Sequence, residues 1–461
     1  MLGTVIIIAG STTLHDFGSI FVLCRYRLGW DLFGHLPATE ENIMDYDVLV
    51  VGGGPAGCAT ARDIAAEGFR VLVAEEHSAV GEPLQCSGLI SSRALELSQV
   101  SNHVVLNELK GALVYAPDNR IFNLVGERIY GLAIDRVAFD QELAVQAREA
   151  GAEIRKSSRV IHLTGIPGGI KARIQTKGSV YAEHDVSCRL VIGADGYKSL
   201  VASWLGLLYP SQKVSIYAAE VELTSTNEQA VKIFLGQELA PAWFAWVIPA
   251  GRKLARVGIG VVRQGGFPAC RPGASQLFLQ LMKAHPKIFK DLRVLKCTGG
   301  VVPIGLMKRS YGNHALLVGD AACHIKPISG GGLYLGLEAA RCCAEAAVSS
   351  LKARDYSSKF LSNYQRAWKG KVGQEISCGL MHRDVFLKMS DQEIDNMIAF
   401  LDTPYWRRII LKYADLDYHS VLAGKLAFAP PWAHRFLLKG LISFVNRCSR
   451  VMGKGSRSTL S

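Results

Sequence analysis

Residues 45–76 constrain this chain more than any other stretch. The sequence Asp-Tyr-Asp-Val-Leu-Val-Val-Gly-Gly-Gly-Pro-Ala-Gly opens it, with a continuous apolar run from Val48 to Val51. Such a run suits a strand buried on both faces. Gly52, Gly54 and Gly57 then give G-x-G-x-x-G where the strand must turn into a helix. Gly52 permits the tight turn, Gly54 lets the backbone approach a pyrophosphate, and Gly57 lets the helix pack on the strand. The pattern predicts a helix from about Pro55 to Glu67, closed by Gly68, whose N-terminal N–H groups aim at phosphates. Arg70 to Ala74 reads as the second strand, and Glu75 ends it where a ribose hydroxyl needs an acceptor. A lone glycine motif is weak; strand, glycines, helix, strand and acid in one unit imply a bound dinucleotide.

The 461 residues allow about three domains. A net charge of +12 favours anionic partners, among them acidic lipid and phosphorylated substrates. Nucleic acid is not expected, because no arginine-rich tract, zinc-finger spacing or aromatic RNA-binding signature occurs. The 11 cysteines are odd in number, and none has C-x-x-C spacing. This argues against a disulfide framework and against an iron–sulfur or zinc site, so no metal is expected.

Residues 1–43 fit poorly with the rest of the chain, and Met44 stands immediately before the first strand. Met44 reads as the functional start and 1–43 as an extension; a targeting segment is the alternative. Pro83 and Gly88 mark Gly81–Ser91 as a loop. Residues 109–133 alternate apolar and polar like strands of a second sheet, and a helix is expected from Gln141 to Ala150. Leu190–Gly196 and Ala315–Asp320 read as two further buried strands running into turns. Residues 214–262 are strand-like and 274–290 helical. Gly330-Gly-Gly332 precedes a small-residue helix from Leu333 to about Leu351. Gly258-Ile-Gly260 lies inside an alternating strand pattern without a following helix, so no separate nicotinamide domain is visible. In the last segment, Arg435, Lys439, Arg447, Arg450 and Lys454 share one face of a helical wheel. A membrane-interface helix and a terminal helix packed on the domain both account for that pattern.

Three segments, Gly52–Glu75, Gly193-Ala-Asp-Gly196 and Gly319-Asp320 with the triple glycine, resemble the flavoprotein fold of the para-hydroxybenzoate hydroxylase group. A narrower resemblance is to the geranylgeranyl reductase family, in its archaeal-lipid branch. It rests on Gly81-x-Pro83-x-x-Cys86-x-Gly88, Asp135-Arg136-x-x-Phe139-Asp140, Phe244-Ala-Trp246-Val-Ile248-Pro249 and Gly319-Asp-Ala-Ala-x-x-x-x-Pro327-x-x-Gly-Gly-Gly332. The implied architecture is α/β: a Rossmann-like FAD-binding domain, an inserted antiparallel β-sheet substrate domain and a C-terminal helical region. The corresponding boundaries are 44–108, 134–210 and 298–350 for the FAD domain, 109–133 and 211–297 for the sheet, and 351–461 for the helices.

By the same resemblance Gly52, Gly54, Gly57 and Glu75 bind the adenosine half of FAD. Arg136 lies near its phosphates, and Asp320 reaches the ribitol and pyrophosphate region. Cys86, Ser87 and Gly88 line the isoalloxazine, while Gly332 and Leu333 supply backbone contacts. Cys86 is the implied catalytic residue, and Phe244, Trp246 and Pro249 are the implied prenyl-binding residues. Phe244 and Trp246 alternate along a strand and so share one side. The family's usual Tyr-x-Trp-x-Phe-Pro is here Phe244-x-Trp246-x-Ile248-Pro249, which removes a tyrosine hydroxyl.

The implied reaction reduces C=C bonds of a geranylgeranyl chain carried by a polar lipid or prenyl pyrophosphate. An external donor, NAD(P)H or reduced ferredoxin, would supply electrons at the cytoplasmic face of a membrane. An aromatic monooxygenase and a non-catalytic flavin electron carrier are the alternatives.

Overall fold

The structure is a computed structural model that describes residues 43–84, 86–178, 181–224, 228–263 and 273–427. The extension before Ile43 and the basic helix expected near the C-terminus lie outside the described residues.

The first strand forms at Tyr46–Val51, the first helix at Pro55–Ala65 and the second strand at Val71–Ala74. Pro55 starts the helix because its missing N–H would have no partner there. Five strands run in the order Ala315–Leu317, Tyr181–Gly193, Tyr46–Val51, Val71–Ala74 and Glu153–Arg155, all parallel. Gly169–Lys177 extends the same sheet by antiparallel pairing to Tyr181–Gly193, and Ser158–Ile166 pairs antiparallel with Gly169–Lys177. Val48, Leu49 and Val50 are fully buried, as a strand covered on both faces requires.

A second sheet of seven strands runs Arg293–Ile304, Gln212–Glu222, Leu254–Arg263, Ala245–Pro249, Val231–Phe234, Gly111–Tyr115 and Ile121–Val125. It is antiparallel except where Val231–Phe234 meets Gly111–Tyr115 in parallel. The boundary expected at residue 298 falls inside Arg293–Ile304, which pairs along its length with Gln212–Glu222. The seven-stranded sheet therefore extends to Ile304. Gly131–Ile134, expected in that sheet, instead joins Leu89–Ile90 and Val105–Leu109 in a separate three-stranded sheet. This small sheet ties the cysteine loop to the start of the next helix.

That helix begins at Arg136 rather than at Gln141 and runs to Glu149. The Asp135 carboxylate accepts from the N–H groups of Val137 and Ala138 at 3.0 Å and fixes the earlier start. Leu333–Ala353 is the long helix expected after the triple glycine. Helices from Ser358–Trp368 to His419–Ala427 make up the C-terminal region.

Candidate functional site

The glycine turn is built by contacts that admit no side chain. Gly52 has φ +100°, and a Cβ there would lie 2.5 Å from the Ala194 carbonyl oxygen. A Cβ on Gly57 would lie 2.1 Å from the Gly52 carbonyl oxygen. A Cβ on Gly54, by contrast, meets nothing within 4 Å. Gly54 caps Pro55–Ala65, so this open position sits where free helix N–H groups and the dipole favour an anion. Glu75 is buried; its Oε2 accepts from Gly53 N–H at 2.7 Å, and its Oε1 accepts from His77 N–H at 2.9 Å. The acid is thus held at the edge of the phosphate turn.

The three glycine-bearing segments converge. Ala194 N–H donates to Val51 at 2.8 Å, and Val318 N–H donates to Gly193 at 2.9 Å. A Cβ on Gly319 would touch Ala56, and one on Gly332 would come 2.9 Å from the Asp320 carboxylate. Asp320 opens onto the cleft yet is surrounded by protein mass, and that confinement pushes its carboxyl up to about 6 against the pull of Arg136. His324 is fully buried and accepts from Gly319 N–H at 3.2 Å. Burial drives its imidazole down to about 3, so it stays neutral. Gly332 caps the helix that Leu333 opens.

Arg136 joins the cleft to the cysteine loop. It donates two hydrogen bonds to the Asp140 carboxylate, each at 3.0 Å, with both side chains largely buried, and it also reaches the Cys86 thiol. Removing one partner of such a buried pair costs about 3–5 kcal/mol. Gly88 N–H lies 3.4 Å from Cys86 Sγ, and Gly88 takes φ +69°. Arg256 backs this loop, donating to the carbonyls of Ser87 at 3.1 Å and Ile134 at 2.8 Å. A Cβ on Gly88 would strike the Arg256 guanidinium at 2.0 Å.

The inner face of the seven-stranded sheet carries the aromatic residues. Phe244 and Trp246 meet at 5.8 Å between ring centroids, and Trp243 stacks on Phe244 at 5.2 Å. All three share one apolar cluster with Leu89 of the cysteine loop and Ile325 of the glycine loop. Pro249 is not among them: it pairs with Ala255, whose side chain belongs to the cluster on the opposite face. A strand's period of two separates it from Trp246. Trp243, Arg256 and Arg383 were missed in the sequence. Gly260 was a signal for Trp243 alone, since a Cβ there would lie 2.1 Å from its ring, just as one on Gly258 would lie 2.3 Å from Trp246.

Residues 45–263 match the family model described as an FAD binding domain. Digeranylgeranylglycerophospholipid reductase of Methanosarcina mazei is 31% identical over 79% of this chain and 91% of its own length. The chain belongs to the geranylgeranyl reductase family. A second relative, digeranylgeranylglycerophospholipid reductase 2 of Methanopyrus kandleri, is 31% identical over 78% of this chain and 91% of its own. A geranylgeranyl bacteriochlorophyll reductase-like protein from Thermoplasma acidophilum superposes with TM-score 0.72 and 25% identity, over 83% of this chain and 98% of its own. The p-nitrophenol 4-monooxygenase of Pseudomonas putida shares the fold at TM-score 0.61 and 19% identity, over 80% and 96% of the two chains. This geranylgeranyl reductase family member is an FAD-dependent oxidoreductase. Its residues fit the cofactor: Gly54 leaves the N-terminus of its helix open to a phosphate, and the Gly53 N–H holds the Glu75 carboxylate, a hydroxyl acceptor, beside the same turn.

Proposed function

We propose that the protein uses FAD to saturate C=C bonds in geranylgeranyl chains of a polar lipid, as the names of its relatives indicate for them. A prenyl pyrophosphate shares the required chemistry, a long apolar tail on an anionic head. The observation that carries the reading is the aromatic wall of Trp243, Phe244 and Trp246, clustered with residues of the cysteine and glycine loops. An isolated alkene has no carbonyl to polarise it, so its reduction needs separate stabilisation of positive charge.

Cys86 Sγ holds the proton for the less substituted alkene carbon. Positive charge that grows on the tertiary carbon meets the ring faces of Trp246 and Phe244. FAD, when bound, supplies the hydride that completes the reduction. Trp243 and Trp246 are both buried, so the wall keeps water from that charge. Arg136 orients Cys86 while it remains paired to Asp140. Gly52, Gly54, Gly57 and Glu75 hold the adenosine and pyrophosphate, and Asp320, Gly332 and Leu333 hold the flavin side. In this assignment 44–108, 134–210 and the segment after Ile304 form the cofactor domain, and the seven-stranded sheet forms the prenyl wall.

The electron donor in this reading is NAD(P)H or reduced ferredoxin, and the enzyme works at the cytoplasmic membrane surface. Among the described residues no helix is long and apolar enough to cross a membrane. The test is mass spectrometry of a geranylgeranyl lipid incubated with the protein, FAD and dithionite, which bypasses the donor. Mass gains in steps of two hydrogens are expected. An unchanged lipid with a bleached flavin would overturn the reading in favour of an aromatic monooxygenase.

A further inference from the structure

Two buried guanidinium groups back the two loops assigned to the flavin ring, and neither has an acidic partner in contact. Arg256 enters from the substrate sheet, on strand Leu254–Arg263, and is 6% exposed. Its Nη1 donates to Ser87 and Ile134 carbonyls, while its Nε is buried with no hydrogen-bond partner. Arg383 enters from the C-terminal region, on helix Gln374–Phe386, and is 2% exposed. It donates to Gln212 at 3.2 Å, to the Pro327 carbonyl at 3.4 Å and to the Ala242 carbonyl at 3.5 Å. Its guanidinium also lies 4.6 Å from the centre of the Trp243 ring. No carboxylate comes within 4.0 Å of either group among the described residues. Glu220, across from Arg256 on the neighbouring strand, and Asp135 act on Arg256 only through space, as Asp384, next to Arg383 in sequence, does on Arg383.

A buried cation held by neutral carbonyls and an aromatic face is poorly compensated in a medium of low dielectric. Burial pulls both groups down, Arg383 to about 10, yet both remain charged at neutral pH. The other buried cations near the cleft are neutralised locally. Arg136 pairs with Asp140, and Lys326 donates to Asp417 at 3.1 Å. The two loops left with net positive charge behind them are those of Ser87 and Pro327. Arg256 and Arg383 come from different domains of the assigned architecture, and the cofactor lies between the two loops they back in that assignment.

We infer that Arg256 and Arg383 form a split cationic clamp whose missing counter-charge is the negative charge that FAD gains on reduction. Two electrons from the donor and one proton enter the flavin, so one negative charge is left on the ring system. The clamp stabilises that charge through both loops and makes the bound flavin easier to reduce. Arg256 and Arg383 are positioning residues for the field at the ring, since they touch the loops and not the reacting atoms. The inference rests on the proposed placement of the flavin against residues 86–88 and 327–333.

The test uses the FAD-loaded full chain under anaerobic dithionite titration against reference dyes, with sulfite affinity as a second measurement. Sulfite adds to the flavin and leaves the same negative charge on the ring, without any substrate. Arg256→Met and Arg383→Met are each expected to lower the flavin midpoint potential and weaken sulfite binding about tenfold. Arg256→Lys and Arg383→Lys are expected to recover most of both losses, which loop support alone would not produce. If Arg256→Met does not retain FAD, Arg383→Gln decides, because its hydrogen bonds are long and its loss leaves the Ser87 loop intact. Variants that retain FAD with unchanged potential and unchanged sulfite affinity would overturn the clamp. Lipid reduction does not enter either measurement, so failure of the prenyl assignment is read separately.

Discussion

Two glycine patterns in this chain look alike on paper and do opposite work. Gly52-x-Gly54-x-x-Gly57 clears space for a ligand and for the backbone around it; Gly258-x-Gly260 clears space for side chains of its own protein. In the first, the forbidden contacts at Gly52 and Gly57 are to backbone carbonyl oxygens at 2.5 and 2.1 Å, while Gly54 faces open space. In the second, the forbidden contacts are indole atoms of Trp246 and Trp243 at 2.3 and 2.1 Å. A glycine missing its side chain is therefore informative only when its neighbour is known. In the proposed cradle Gly52 and Gly57 make room for backbone and Gly54 alone leaves room for a phosphate, whereas the strand's glycines seat the aromatic wall.

The largest expected effect separates these two kinds of room. Gly57→Ala drives a methyl into a backbone carbonyl that has no way to retreat. It should cost at least about 3 kcal/mol and abolish FAD retention, read by urea unfolding and by flavin absorbance of the purified protein. Next comes the acid limb of stability, which tests the cradle's far wall. His324 titrates near 3 in the fold against 6.5 when free, so the unfolded chain binds more protons as pH falls below 6.5. Stability is lost progressively from about pH 6.5 towards pH 3, with a loss on the order of 4–5 kcal/mol due to this residue. His324→Gln keeps an acceptor for Gly319 N–H and should flatten that part of the curve in pH-dependent thermal melts, leaving the share of His382 and His419, which begins at the same pH and is complete by about pH 4.

Gly260→Ala should cost about 1–3 kcal/mol by displacing the Trp243 ring, yet leave FAD bound. Lipid reduction, followed by mass spectrometry, should fall about tenfold while flavin absorbance is retained, because the wall and not the cradle has moved. The smallest effect on stability belongs to Gly54→Ala, at less than about 0.5 kcal/mol. Its FAD affinity, measured by fluorescence titration, should still drop about tenfold or more, since the methyl enters the space a pyrophosphate needs. If Gly54→Ala instead destabilised the protein and spared FAD binding, the contrast between the two patterns would fail.

The cradle was legible from the chain alone because its parts lie within about thirty residues of one another. Strand, turn and helix there are imposed by local backbone geometry and by a continuous apolar run, both of which are written in order. The helix after Asp135 was legible too, though its start was not: the cap that moved it from Gln141 to Arg136 is a single carboxylate bonding two N–H groups. Pro249 was misplaced for a related reason, since a motif read as a unit conceals which residues of a strand face which side. The family pattern identified Cys86 but not what stands behind its loop.

Amino-acid order by itself determined the FAD cradle, the alternating strands of the second sheet and the membership of the geranylgeranyl reductase family. Only the tertiary structure decided which residues meet across the cleft. Arg256 reaches Ser87 across 169 positions, and Arg383 reaches Ala242 across 141. Such contacts have no periodicity and no spacing rule, because sheet order and helix docking fix them and any loop length can intervene. Gly258 and Gly260 show the limit most plainly. Their absence of side chains was visible from the start, but the indoles that fill the space arrive from a neighbouring strand and the bend that leads into it, set by register and not by sequence distance.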